Sequence, residues 1–495
     1  MRSEWPTVRL GDYCQKIGSG ATPAGGSGVY LDQGEICLIR SQNIHNEGFK
    51  PQGLVFITAN AANKLKNVIV ERNDILLNIT GDSVARVCLA REEFLPARVN
   101  QHVAIIRPYP KEFDPRYLRY LLSSPAMQNF LLTIAAVGAT RNALTKGMIE
   151  TIEVSKPPIK IQAAIADQLE SLDKKIHLNT QTNQTMESIA QAIFKSWFVD
   201  FDPVKAKMAA KERWYAMQST SESASPVCYA DEAALPDLET YTNLAAMCAI
   251  SGKNETELAQ LQQQNPDHYQ QLAETAALFP SAMVDSELGE IPEGWEVSEI
   301  GNEVEIVGGG TPSTNEPAFW DDGELHWTTP KDLSNKKSKI LLDTERKITN
   351  AGLAKISSGL LPIDTVLMSS RAPVGYLALA KIPVAINQGY IAMKCTGDLS
   401  PEFIILWAES VMDEILQRAS GTTFAEISKK NFRNIKLIRP TTQIAIKFEE
   451  KTSPLFTKIA ATEMQSTDLA NIRDSLLPKL LSGEIDLTKI ENEVI

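Results

Sequence analysis

The chain has 495 residues, too many for one hydrophobic core, and about 150 residues per domain predicts three units or two domains with connecting elements. Hydrophobic residues make up 43% and charged residues 22%, no apolar run reaches about 18 residues, and the first residues lack the pattern of a signal peptide. A membrane span is thereby excluded and a cytoplasmic location expected. The net charge of -12 excludes a uniformly basic protein but not local cationic loops, because residues 203–285 alone hold eleven Asp/Glu against five Lys/Arg.

The chain opens on Trp5 to Asp12, a stretch written again, 290 positions later, at Trp295 to Asn302. IGSGATP at 17–23 returns as VGGGTP at 307–312. Neither loop is followed by Gly-Lys-Ser/Thr or carries the third glycine of a dinucleotide fingerprint, so each reads as a turn bearing a ligand-facing threonine, Thr22 or Thr311. DILLNITGDSVARVCLA at 74–90 lies over DTVLMSSRAPVGYLALA at 364–380, and Asn100-Gln101 answers Asn387-Gln388. GATRNALTKGMIETIEVSKP at 138–157 answers GTTFAEISKKNFRNIKLIRP at 421–440, now 283 positions on. A spacing that drifts only by loop lengths marks a duplicated domain. Strands are predicted at Val103–Ile106, Val366–Met368 and Ile435–Ile438, and one helix over 113–131, which makes each copy α+β.

After the first copy, apolar or seam residues follow Ile161 at 165, 169, 172, 176, 179, 183, 186, 190, 193 and 197, a heptad spacing. The stripe returns 283 positions later from Ile444 to Leu480, with Ile472 expected to replace Arg473 on the seam. Thr452-Ser453-Pro454 reads as the start of the second long helix, after a short helix over 442–451, and Pro478 as its kink or end. Each rod is then roughly 26 residues and roughly 40 Å long. Two apolar stripes predict that the rods pack on each other. The polar breaks Asn179 and Asn183, and Thr462 and Ser466, fall near the middle of each helix, which favours an antiparallel pair with these segments in contact. The helix-pair interface is expected at Leu172, Ile176, Asn179, Asn183, Met186, Ile193, Leu455, Ile459, Thr462, Ser466, Leu469 and Leu476. Helical pieces at 255–263 and 268–279 are expected in the acidic stretch, without a core of their own size.

The resulting plan is a first globular domain (1–158), a first connector helix (159–202), an acidic polar helical insert (203–285), a second globular domain (286–440) and a second connector helix (441–495). Its fold class is α+β, with two repeated globular domains separated by an antiparallel pair of long α-helices under a pseudo-two-fold axis.

Catalytic signatures are missing: no Asn/Asp-Pro-Pro-Tyr/Phe, no Gly-Lys-Ser/Thr loop, no His-Glu-x-x-His and no nucleophile elbow. The histidines His45, His102, His177, His268 and His326 stand alone, and the six cysteines show no metal or disulfide spacing. The chain reads as a binder, with no catalytic or metal-ligating residue assigned. Two related domains about a two-fold axis suit DNA, which presents equivalent faces roughly 34 Å apart. Side chains suited to base edges and phosphates are Arg40, Asn43, Arg86, Thr140, Arg141, Asn142 and Lys146 in the first copy, and Lys331, Arg371, Thr422, Thr423, Lys429 and Lys430 in the second. Two other readings stay open: a self-sufficient DNA methyltransferase or nuclease with an unrecognised site, and a protein-binding scaffold.

The duplicated domain, a heptad helix ending SWFVDFDP, a second copy opened by LGEIPEGW and a last helix ending LLPKLLSGEI together resemble the specificity subunit of type I restriction-modification systems. The resemblance covers nearly the whole chain. It implies that each copy is a target-recognition domain reading one half of a split double-stranded DNA site. The helices would then be the ruler for the unspecified spacer and the dock for two methyltransferase subunits. It further implies S-adenosylmethionine, ATP and Mg on partner subunits, including restriction/motor subunits, and no cofactor in this chain. The insert at 203–285 departs from plainer members of that family.

Overall fold

The computed structural model describes residues 5–23, 25–136, 142–222, 236–334, 336, 338–421 and 425–485. The chain divides into two compact units, Met1–Ile176 with Thr467–Ile495, and His177–Ser466.

In the first unit a four-stranded antiparallel sheet runs in the order Cys14–Ser19, Val103–Pro108, Ile75–Asn78, Val87–Leu89. The runs that read as continuous apolar strands are buried on both faces. Ala104, Ile106, Ile75 and Leu77 point into one core, while Val103, Ile105 and Leu76 point into another, as the two-residue period of a strand requires. A second sheet has the order Val55–Ile57, Ile36–Ile39, Ala97–Val99, Ile69–Val70, its central pair parallel. Thr7–Arg9 closes the domain by pairing antiparallel with Glu153–Ser155.

The second unit repeats this plan. Its main sheet runs Glu305–Val307, Tyr390–Lys394, Val366–Ser369, Leu377–Ala380, with Ile340–Leu341 added at the edge. Val366, Met368, Ile391 and Met393 again face one core, and Leu367, Tyr390 and Ala392 the other. The smaller sheet pairs Leu325–Thr328 in parallel with Ala385–Ile386, and Glu296–Glu299 pairs with Lys436–Arg439.

Four expectations are corrected. The helix over 113–131 is two helices, Pro115–Ser123 and Pro125–Ala136; Pro125 forces the preceding Ser124 into extended backbone, at ψ 146. The second long helix is unbroken from Thr442 to Leu481, passing through Pro454 and Pro478. A proline inside a helix costs about 3 kcal/mol, but Phe448, Thr452, Phe456 and Ile459 are all at most 1% exposed on either side of Pro454, and that packing decides the local structure. Thr452 is accordingly no N-cap; its hydroxyl donates to the Phe448 carbonyl at 2.9 Å. With Ile159–Phe198, each long helix has 40 residues, about 60 Å. Third, Arg473 keeps its seam position, donating to Asp173 at 2.8 Å, while Ile472 is 47% exposed.

The fourth correction concerns the insert. Helices Leu238–Ser251, Glu255–Gln264 and Pro266–Leu278 enclose a small core of Ala246, Met247, Leu258, Leu272 and Ala276, and the helix Asp202–Glu222 packs on the first of them while sending Val204 and Met208 into the second unit's main core. Local signals set their ends. Gly252, at φ 67, stops one helix, and Asn254 with Glu257 forms the capping box that starts the next.

Lys207 is buried in the insert, and its ammonium donates to the Phe279 carbonyl at 2.6 Å. Burial pushes its pKa down to about 8, against a smaller opposing pull from Glu239. A free lysine holds its proton to about 10.4, so from about pH 8 to about 10 the unfolded chain binds more protons and folding stability rises with pH. Thermal unfolding is expected to show a gain of up to about 3 kcal/mol across that window relative to Lys207→Met; parallel pH profiles of the two proteins would contradict it.

Candidate nucleic-acid interface

Each copy gathers its glycine loop, its Asn-Gln turn and the loops after its central strands into one cluster. The glycines serve close approach. A Cβ on Gly20 would lie 1.7 Å from the Val99 carbonyl oxygen, and one on Gly309 would lie 1.9 Å from that of Ile386. Backbone therefore rests on backbone at equivalent points of both copies, a requirement only glycine meets. The following asparagines make the same Asx turn: Asn100 Oδ1 accepts from His102 N at 3.1 Å, and Asn387 Oδ1 from Gly389 N at 2.9 Å. Gln101 and Gln388 are thereby presented, exposed, beside the glycine loops.

In the second copy Thr311 donates to Gln388 Oε1 at 2.6 Å. The Lys429 ammonium lies over Gly308, 2.8 Å from where a Cβ would project. Ser370 N donates to Gly389 O and Ile427 N to Ser370 O, which brings Arg371 alongside, its guanidinium 3.9 Å from Glu426. Pro330 touches Gly389 and so places Lys331, ion-paired to Glu345 at 3.0 Å, on the same cluster. Lys429 and Lys430 are exposed at the start of the helix Lys429–Arg433, capped by Ser428.

In the first copy Thr22 is exposed on the glycine loop, Arg86 is exposed, and Asn142 and Lys146 are exposed beside Thr80, which bridges to Ala143. Lys146 pairs with Glu150 at 3.4 Å. Burial lowers the His45 pKa, against an opposing pull from its hydrogen bond to the Gln42 carbonyl, and the Lys50 and Arg86 charges add to the lowering. Asn43 is corrected. It is 0% exposed, donates to the Lys50 and Gln52 carbonyls and accepts from Arg40 N, so its amide holds the fold and cannot meet a base. Arg40 is committed in part, donating to Gly53 O at 2.6 Å beneath Tyr30. Thr140, Arg141, Thr422 and Thr423 lie outside the described residues.

Gln101 and Gln388 were legible only as repeat markers, although an Asn-Gln dipeptide at the same place in both copies was a usable signal. Trp320, Trp327 and Arg346 gave none, because the contacts that bring them to the second glycine loop are tertiary.

On the long helices, the second unit brings 179–183 against 463–466: Asn179 Nδ2 donates to Gln465 Oε1 at 2.9 Å and Ser466 Oγ at 3.2 Å, and Asn183 Nδ2 to Glu463 Oε1 at 2.9 Å. Rising number on one helix meets falling number on the other, so the segments run antiparallel. Thr462 is buried and returns its hydroxyl to Lys458 O of its own helix. Ile459 is buried in the second unit's core, with Met186, Ile193 and Leu455 packed against it. In the first unit Leu476 packs on the core, Leu172, Ile176 and Leu469 are half-buried, and Asp173 takes hydrogen bonds from Arg473, Arg119 and Tyr120. No helix among the described residues is long and apolar enough to cross a membrane.

Residues 2–188 and 292–463 each match the family model for the type I restriction modification DNA specificity domain. The chain belongs to that family, with two copies of its domain. The type I restriction enzyme HindI specificity subunit of Haemophilus influenzae is 29% identical over 496 residues, spanning 98% of this chain and 100% of that protein. The MjaIX specificity subunit of Methanocaldococcus jannaschii is 36% identical over 160 residues, 32% of this chain and 37% of that protein. A solved S subunit of a type I restriction-modification system from M. genitalium is 15% identical, with a TM-score of 0.49 over 96% of both chains.

Proposed function

We propose that this chain is the non-catalytic, sequence-specific DNA-recognition subunit of a cytoplasmic type I restriction-modification complex. Each repeated domain reads one half of a bipartite double-stranded site through its loop cluster. The long helices set the spacer and dock two methyltransferase subunits; restriction/motor subunits complete the assembly. S-adenosylmethionine, ATP and Mg belong to those partners. The observation that carries this reading is the reconstruction of the same glycine loop, Asx turn and cation-bearing loops in both copies.

The test is retention of a two-part duplex by the chain assembled with its methyltransferase subunits. Binding is expected to be sequence-selective and to weaken steeply with salt. The chain alone, given S-adenosylmethionine or magnesium, is expected neither to methylate nor to cut DNA; turnover would favour a self-sufficient enzyme. Inserting one heptad into both long helices is expected to lengthen the preferred spacer by about 10 Å, roughly three base pairs. An unchanged spacer would remove the ruler role.

A further inference from the structure

Among the described residues, the second glycine loop is held by indole donors that have no counterpart at the first. Trp327 Nε1 donates to the Gly310 carbonyl at 3.1 Å, and Trp320 Nε1 to the Ser313 carbonyl at 2.8 Å. The two bonds bracket Thr311 and Pro312. The indoles meet edge to face, with centroids 5.0 Å apart at 84°, and the Arg346 guanidinium stacks 3.6 Å over the Trp320 ring. Trp327 is 3% exposed in a core with Ile348, Ile356 and Ala385, so the anchor is fixed by the domain interior. Trp320 is half-buried and is fixed through Trp327 and Arg346.

Strand register identifies the first copy's counterpart. Trp327 pairs with Ala385, one residue before Ile386; Leu38 pairs with Arg98, one residue before Val99. Leu38 has no side-chain N–H or O–H to donate, so among the described residues the position that answers Trp327 supplies no inner anchor to the first loop.

We propose that Trp320 and Trp327 are positioning residues for recognition by the second domain. They fix the main chain of 310–313 and hold Thr311 and its partner Gln388 in one geometry toward the second half-site. This rests on the reading that the loop cluster faces DNA. A reading element that is fixed before binding discriminates more sharply than one that adapts, because a wrong base then leaves polar groups unpaired.

The experiment uses the full chain assembled with its methyltransferase subunits and the bipartite site mapped from its own modified bases. The readout is the ratio of affinities for that duplex and for duplexes with one base pair changed in either half. Trp320→Phe keeps an aromatic ring beside Arg346 and removes the Nε1 donor, at the cost of part of the ring surface that meets Arg346 and Trp327. It is expected to lower discrimination at the second half-site about three- to tenfold, the value of one hydrogen bond, with first-half discrimination and melting temperature unchanged. Trp327→Phe is expected to act in the same direction. Equal losses at both halves would assign the effect to folding and overturn the proposal. Full discrimination in both variants, while Thr311→Ala and Gln388→Ala lose it, would overturn the positioning role alone. Full discrimination in all four would overturn the reading beneath it as well.

Discussion

Gly309→Ala is expected to destroy recognition of the second half-site and to leave the first intact. The added Cβ would sit 1.9 Å from the Ile386 oxygen and 2.4 Å from its carbonyl carbon. Neither can retreat, because Ala385 and Ile386 are 0% exposed and are paired in the small sheet with Trp327 and Thr328. The loop must lift instead, breaking the Gly310 N bond to Ile386 O and carrying Thr311 off Gln388. Overpacking of this kind costs about 1–3 kcal/mol, occasionally more, and a clash of backbone on backbone falls at the upper end. Gly20→Ala is expected to mirror the result in the first copy, where the approach is 1.7 Å. Binding to duplexes intact in only one half measures both; normal second-half recognition by Gly309→Ala would show that the loop's seat is irrelevant to reading.

The second large effect is expected at Phe198→Ala. Phe198 ends the first long helix, and its ring meets Phe403 at 4.9 Å, Phe448 at 5.0 Å, Phe194 at 5.3 Å and Trp295 at 5.7 Å between centroids. These partners come from both long helices and from the second domain, so one side chain joins three segments of the second unit. Truncating a buried phenylalanine costs about 3–5 kcal/mol, and the edge-to-face pairs with Phe403 and Phe448 add to the area term. Hydrogen exchange should show lost protection at 190–198, 403–408 and 445–459, with the first domain's strands protected as before. A loss below about 1 kcal/mol would mean that the cluster repacks.

The duplication was legible in the sequence because a fixed spacing survives even where side chains change, and the structure returns it as matching strand pairs, down to the parallel pairing of 97–99 with 36–39 and of 385–386 with 325–328. The heptad stripe was legible for a similar reason: every seam position from Ile161 to Trp197 is buried or half-buried. What escaped was tertiary. Pro454 carries a local stop signal that packing by Phe448 and Phe456 overrides. Asn43 looks like a base reader until its amide is seen satisfied by carbonyls seven and nine residues on. The glycines signalled a turn, but the strand end they press on lies about 77 to 79 residues further along, beyond any local pattern.

The most direct measurement is a genome-wide map of modified adenines in a host carrying this chain with its methyltransferase subunits, beside the same host carrying Arg371→Ala. Arg371 is exposed enough that losing its 3.9 Å ion pair should change stability by less than about 1 kcal/mol, so a change in the map reports recognition. The expected map has two specified blocks around an unspecified spacer, and Arg371→Ala degrades one block only, by about 1–3 kcal/mol. One uninterrupted block, or two blocks that decay together, would contradict independent reading by the two domains.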